Sequence, residues 1–510
     1  MNVLAVLLAL PLVGFFIVLA SPRDSKLPFY SAIAISLAAF LVSLGLIAPA
    51  WADPTHFTSV LDLPWIDSTT FQIHFHLGID GINVWLVLLT TLLIPIGVWI
   101  SQAQIKERHK GFYALLMLFE FGLIGVFSAV DLFVFYVFWE IALVPMYLMV
   151  GGWGGARRGY AAVKFFVYTM FGSVLMLGSI IYLYSLTGTS DYQGILNVFS
   201  SGRMTLAPTD SIVLFLGFFA AFAIKVPIFP LHAWLPVTYV EAPAPATFLL
   251  AAVMSKMGAY GLLRFCVPLF PVGAHRCAGW VVILAIIGIV YGALIALVQT
   301  NIKRLIAYSS ISHLGFIVLG IFTFSQQGAD GAVYQMVAHG LSTGALFLLA
   351  GMMEQRRGSM EIADFGGVAP LAPGLASAFM IAMLASIGLP TLCNFIGEYL
   401  VLQGAALTNF PWAVFAAIGV ILSAAYMLWM YQRTFLGKSV EGTVFPDLTF
   451  RDWVPVVPLV LLMVWLGTYT QSFMPPISAA NAQLLEQTRV SDEIRVQLHP
   501  PAAPEAFHAR

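Results

Sequence analysis

The chain has 510 residues, of which 60% are hydrophobic and 9% charged. Its mean hydropathy is +0.91 and its formal net charge is -1. A soluble domain carries about 25% charged residues, so the composition predicts an all-α integral membrane protein. No basic surface interleaved with aromatics offers itself to a nucleic acid, so no nucleic-acid partner is expected. The three cysteines, Cys266, Cys277 and Cys393, have neither CxxC nor metal-ligand spacing. Cys266 and Cys277 can pair on an oxidising face or stay as apolar thiols, and no metal site is expected.

Residues 1–20 are apolar, and the basic residues Arg23 and Lys26 come after them. A cleaved signal peptide has its positive charge first, so this stretch reads as a retained crossing with its N-terminus outside. Runs of about 20 apolar residues, enough to span a bilayer, fall at 2–20, 29–49, 80–101, 112–129, 132–150, 165–186, 211–240, 243–265, 278–298, 305–324, 332–353, 372–407, 411–431 and 453–474. That predicts about fourteen transmembrane helices. The polar, aromatic stretch 51–79 reads as a loop able to form a hairpin, and 187–210, with TGTSDYQG, reads as a loop.

Basic residues test this count, because they accumulate in cytoplasmic loops. One set of alternate loops holds Arg23, Lys26, Lys106, Arg108, Lys110, Arg157, Arg158, Lys164, Lys303, Arg304, Arg356, Arg357, Arg433, Lys438 and Arg451. The opposite loops hold only Arg203, Arg264 and Arg276, with Arg489, Arg495 and Arg510 in the tail. The alternation predicts both termini on the outer side and fits a bacterial inner membrane.

Two spans, 211–240 and 372–407, are too long for one crossing. The first contains KVPIFP, with Pro227 and Pro230; the second contains IGLPTLCNFIGE, with Pro390. Proline removes a backbone donor and clashes with the preceding turn. At membrane depth such a break survives only where protein or water satisfies the freed groups, and paired broken helices point to a transporter built from inverted repeats. Lys225 and Glu398 are 173 residues apart, as are Glu140 and His313. The expected organisation is an N-terminal three-helix region (1–110), two five-helix repeats with one broken helix each (111–265 and 278–431), and a C-terminal helix with its tail (432–510). The breaks are expected near 225–230 and 388–398.

Ionisable groups inside a bilayer are expensive and mark ion or proton pathways. Glu140, Lys225, Lys256 and Glu398 are the principal candidates, with Glu120 as a further carboxylate. His232, His313 and His339 add groups that titrate near physiological pH. Blander readings stand beside these: Glu140 and Glu120 as packing carboxylates, Lys225 snorkelling to the interface, His232 as a hydrogen-bonding core histidine. A buried lysine holds its proton less tightly, and a nearby carboxylate reverses that. A lysine with a movable carboxylate therefore switches between two proton affinities. Glu140 beside Lys225 is expected to form that switch, with Lys256 accepting the proton and Glu398 passing it outward.

The stretches FYVFWEIALVPMYLMVGGWGG, KVPIFPLHAWLP, EAPAPATFLLAAVMSKMGAYGLLRF, IKRLIAYSSISHLGF and AHGLSTGALFLLAG carry a resemblance. From about Asp80 to Trp429 the chain resembles the antiporter-like M subunits of respiratory complex I, the proton-pumping NADH:quinone oxidoreductase. The resemblance implies proton-transfer roles for Glu140 on the fifth helix, Lys225 on the first broken helix, Lys256 at the centre, His313 and His339 as connectors, and Glu398 on the second broken helix. The sister L and N subunits, the implied partners, usually carry lysine at that last position. It further implies that this chain binds no cofactor, and that NADH, FMN, iron–sulfur clusters and quinone belong to partner subunits. Departures from the family pattern occur at LPVTY, with Val237 and Thr238, at Asn301, and at Pro245, Ala246 and Thr247. Other readings are a subunit of an Mrp-type cation/proton antiporter, a membrane subunit of an energy-converting hydrogenase, and a scaffold whose polar groups only pack helices.

Overall fold

The computed structural model describes residues 2–23, 25–68, 71–438 and 445–489. Arg495 and Arg510 of the tail lie outside the described residues. In chain order the helices are α1 (Val3–Ala20), α2 (Leu27–Ser43), α3 (Ile47–Ala52), α4 (Asn83–Gln104), α5 (His109–Ser128), α6 (Leu132–Trp153), α7 (Arg158–Thr187), α8 (Tyr192–Ser200), α9 (Pro208–Lys225) and α10 (Leu235–Glu241). There follow α11 (Ala244–Leu249), α12 (Ser255–Gly261), α13 (Val267–Leu269), α14 (Pro271–Leu297), α15 (Ile302–Phe322) and α16 (Gln326–Arg357). The last are α17 (Val368–Leu371), α18 (Pro373–Ile387), α19 (Cys393–Thr408), α20 (Phe410–Thr434), α21 (Phe450–Thr468) and α22 (Met474–Gln487). Segments α11 to α13 form one crossing interrupted by π-helical turns at Leu250–Met254 and Leu262–Cys266. Among the described residues, 13 helices are long and apolar enough to cross a membrane. The broken pair α18 and α19 supplies a further crossing, so the expected count holds.

The stretch 51–79 does form a hairpin, from β1 (Thr58–Asp67) and β2 (Gln72–Ile79), which are antiparallel. It is seated on the start of α6: the Val130 amide donates to the His76 carbonyl at 3.0 Å, and the His76 side chain meets Asp191 at 2.5 Å. The face that carries the hairpin is called the hairpin face below, and the opposite one the basic face.

Three expectations need correction. The 187–210 stretch contains α8, which Asp191 caps by accepting from the Gly194 amide. The C-terminal region holds α22 as well as the expected crossing, tied down where Asn481 donates to Asp330 at 2.9 Å. Arg264 and Arg276 are helical, not in loops. Arg264 lies in the second π-helical turn, is 6% exposed, and pairs with Asp80. Asp80 in turn caps α4 by accepting from the Ile82 and Asn83 amides. An arginine that finds a buried carboxylate this way has no need of a loop.

The elements from α5 to α13 and from α14 to α20 share one order: three long helices, a helix broken near its middle, and a further helix. Each set is pinned by an isolated β-bridge between a helix start and the chain 60 residues later, Asp131 with Asp191 and Asn301 with Glu361. Asp131 and Asn301 each cap the helix that follows. The first bridge lies on the hairpin face and the second on the basic face. The constant shift of 173 does not survive the breaks, however. Lys225 ends α9 before the first break, whereas Glu398 lies in α19 after the second.

Pro227 and Pro230 fall in the first break, and Pro390 in the second. The freed backbone groups are satisfied locally, as membrane depth demands. The Trp234 indole donates to the Ile224 carbonyl at 2.8 Å, and the Ile228 amide to the Ala223 carbonyl at 2.8 Å. At the second break the Leu389 amide donates to the Leu384 carbonyl at 3.1 Å. Gly388 turns the chain at φ 81°, a conformation that glycine adopts without strain.

Candidate functional site

The second broken helix and its neighbours bring four of the expected residues into one chain of contacts. Lys256 follows the first π-helical turn and is fully buried; such turns recur at functional sites. Its ammonium donates to the Ala251 carbonyl at 2.6 Å and to the Ser255 hydroxyl at 3.2 Å, and meets His339 Nδ1 at 2.8 Å. A charged Lys256 has no lone pair, so in that state Nδ1 accepts and the other ring nitrogen holds the proton. That nitrogen, Nε2, has no hydrogen-bond partner among the described residues. The His339 ring lies 5.6 Å from the His313 ring, centroid to centroid. His313 Nδ1 meets Glu398 Oε1 at 2.8 Å, and its Nε2 lies 3.5 Å from the Ser386 hydroxyl. Gln335 donates to Glu398 Oε1 at 3.2 Å.

Lys225 and Glu140 are arranged differently. The expected contact between them is absent: no ion pair within 4.0 Å joins them, and neither Lys225 Nζ nor Glu140 Oε1 has a hydrogen-bond partner among the described residues. The reason is aromatic packing. The Lys225 ammonium lies 5.1 Å from the centroid of Trp139 and 5.6 Å from that of Phe165. Aromatic faces attract a desolvated cation by about 2 kcal/mol, less than a carboxylate in contact supplies. Glu140 follows Trp139 directly on α6. Glycine permits this packing: a Cβ at Gly258 of α12 would stand 2.8 Å from the Phe222 carbonyl oxygen and 3.0 Å from Lys225 Cβ.

The other two candidates stand apart. Glu120 is fully buried on α5, and neither carboxyl oxygen has a partner among the described residues. His232, in the first break, stacks on Phe229 at 5.6 Å and meets Tyr291 edge-on at 5.2 Å, without contact to the Lys256 chain. Sequence reading passed over Gln335 and Ser386. Gln335 was within reach, since it stands four residues before His339 and so shares its helix face.

On the basic face a cavity of about 380 Å³ is lined by Lys106, Lys303, Glu241, Glu354 and Gln104, among others. Lys303 meets Glu354 at 2.5 Å there. Of the sequence departures, Asn301 caps α15 by accepting from the Arg304 amide, while its own amide donates to Glu361 at 2.8 Å. Thr238 satisfies itself on the Trp234 carbonyl at 2.8 Å, and Thr247 bonds the Tyr239 carbonyl at 3.0 Å.

Residues 129–424 match the family described as NADH:quinone oxidoreductase/Mrp antiporter, TM. The chain belongs to this family. Its members similar to this chain include the NADH-quinone oxidoreductase subunit M of Rhodobacter capsulatus, 41% identical over 478 residues, which cover 92% of this chain and 91% of that protein. Among solved structures, respiratory complex I from Thermus thermophilus with bound NADH contains a chain 34% identical, with a TM-score of 0.87, covering 96% of this chain and 100% of that one. The Mrp complex from Dietzia sp. DQ12-45-1b contains a chain of the same fold, with a TM-score of 0.83 at 20% identity, covering 98% of this chain and 99% of that one. The same fold thus occurs in both of these solved assemblies.

Proposed function

We propose that this chain is a proton-translocating membrane-arm subunit of an NADH:quinone oxidoreductase, an M-type antiporter-like subunit working beside sister L- and N-type subunits. The observation that carries this reading is the buried chain Lys256–His339–His313–Glu398, in which two contacts are 2.8 Å and the ring-to-ring step is 5.6 Å. A proton held on Lys256 passes to His339 Nδ1 as the proton on Nε2 leaves toward His313. His313 then delivers to Glu398, which Gln335 holds in place. One ring reorientation or one intervening water spans the step between the histidines, since a contact beyond hydrogen-bond length needs a mediator. Lys225 on its aromatic faces, with Glu140 one residue beyond Trp139, is the charge that sets when Lys256 is loaded.

The shared element order of the two halves supports inverted five-helix repeats at 111–265 and 278–431, flanked by 1–110 and 432–510. The basic loops support a bacterial inner membrane with both termini outside. As a subunit of a translocase the chain works without a redox centre of its own; NADH, FMN, iron–sulfur clusters and quinone belong to partners. In inverted membrane vesicles carrying the assembled complex, NADH is expected to drive quinone reduction together with lumen acidification. Proton movement driven by a sodium gradient and indifferent to NADH means that the chain serves an Mrp-type antiporter instead.

A further inference from the structure

A cavity of about 770 Å³ opens on the basic face where the end of α1 meets the start of α5. Arg23, Lys106, Arg108, His109 and Lys110 line it, with Leu19 and Gly111 completing the wall, and among the described residues no carboxylate lines it. Arg23, Lys106 and Lys110 make no ion pair with a described residue. Glu107 sits in the same turn without lining the cavity. Arg108 is fixed in place: its guanidinium donates to the Gly152 carbonyl at 2.6 Å and lies 4.9 Å from the centroid of Trp153. Helix α5 starts here with no acidic residue in its first turn and no side-chain cap, so its dipole adds positive potential to that of the side chains. So many cations in one concavity repel one another unless an anion joins them.

The surface beside the cavity says which anion. Leu19 both lines the cavity and is 44% exposed, and it continues an apolar strip down α1 through Phe16 (60% exposed) and Val13 (52% exposed). These residues recur every three positions and so share one helix face. The strip runs from the basic face into the bilayer, where acyl chains lie. A basic pocket between transmembrane helices, open to hydrocarbon on one side, suits a phosphate headgroup carrying its own tails.

We propose that this cavity binds an anionic glycerophospholipid of the basic-side leaflet. Its phosphate sits among Arg23, Lys106, Arg108 and Lys110, and one acyl chain follows Leu19, Phe16 and Val13. The bound lipid ties the α1–α2 connection to the α4–α5 connection. This inference does not depend on the transport reading.

The test is native mass spectrometry of the purified complex and of the full chain, both delipidated and titrated with dioleoylphosphatidylglycerol, dioleoylphosphatidylcholine or inorganic phosphate. In the variant Arg23→Gln/Lys110→Gln the tightest phosphatidylglycerol site is expected to weaken by about thirtyfold, at about 1 kcal/mol for each basic residue. A control variant, Arg158→Gln/Arg304→Gln, keeps the wild-type affinity, and phosphatidylcholine binds far more weakly throughout. Arg23→Gln alone, at an exposed site, gives a smaller weakening with no change in melting temperature. Unchanged affinity in the double variant, or equal binding of phosphatidylcholine, overturns the proposal. Displacement by inorganic phosphate alone assigns a free-anion site instead and also overturns it. Binding to the isolated chain but not to the complex overturns it in favour of an acidic segment of a neighbouring subunit.

Discussion

The two broken helices place their charges in opposite circumstances. At the first, Lys225 ends the half-helix before the break and rests on Trp139 and Phe165, with no hydrogen-bond partner among the described residues. At the second, Glu398 lies in the half-helix after the break and is held by His313 and Gln335. Position relative to the break accounts for the difference. Lys225, at the end of its half-helix, faces α6 and α7, whose Trp139 and Phe165 fill the space around it. A side chain within a half-helix instead meets polar groups from α15 and α16. The first site is thus held loosely, by a cation on ring faces, and the second more firmly, by hydrogen bonds of 2.8 and 3.2 Å. A loosely held buried charge moves at low energetic cost, whereas a satisfied one is stable where it is.

Substitutions should break this contrast in opposite ways. The largest effect is expected from Lys225→Met, which lowers NADH-driven lumen acidification at least tenfold while leaving the melting temperature of the assembled complex unchanged or higher. It removes a buried polar atom that has no hydrogen-bond partner among the described residues and gives up the ring contacts. A lowered melting temperature would show that Lys225 holds the fold together. At the second site the expectation reverses. His313→Leu leaves Glu398 short of a partner in the interior and destabilises by about 1–3 kcal/mol, read as a lower melting temperature. His313→Leu/Glu398→Leu recovers part of that loss because no charge is stranded. Gln335→Leu is milder, since Glu398 keeps its histidine; melting should fall by less than in His313→Leu.

A smaller, pH-dependent effect is expected at the hairpin. Burial pushes the His76 imidazole pKa down, but the hydrogen bond and charge of Asp191 outweigh it and hold the pKa above the usual 6.5. A pKa raised on folding contributes stability that is complete below the unfolded value and disappears as pH rises through the folded one. Amide exchange across Gln72–Ile79, corrected for intrinsic rates, should therefore show protection falling above about pH 6.5. In His76→Gln the protection should lose that dependence.

Much of this architecture was legible in the sequence. Apolar runs, proline positions and alternating basic loops fix the crossings and both breaks, because bilayer thickness and backbone satisfaction leave few alternatives. The polar hairpin was legible too, while α8 and α22 were missed because neither has the length or apolarity of a crossing. The ionisable residues were visible as charges in apolar runs, but their pairing was not. Glu140 and Lys225 were expected in contact, and only packing reveals that Trp139 and Phe165 take up that space. Arg264 looked like a loop residue near a helix end, because its partner Asp80 is 184 residues away and no local pattern links them.

The most direct test compares Glu140→Gln with wild type in inverted vesicles containing the assembled complex, recording quinone reduction and lumen acidification together after NADH is added. If the Glu140–Lys225 site loads the Lys256–His339–His313–Glu398 chain, acidification falls at least tenfold with the complex intact. Acidification at the wild-type rate and extent would contradict that account and leave Glu140 as a packing carboxylate.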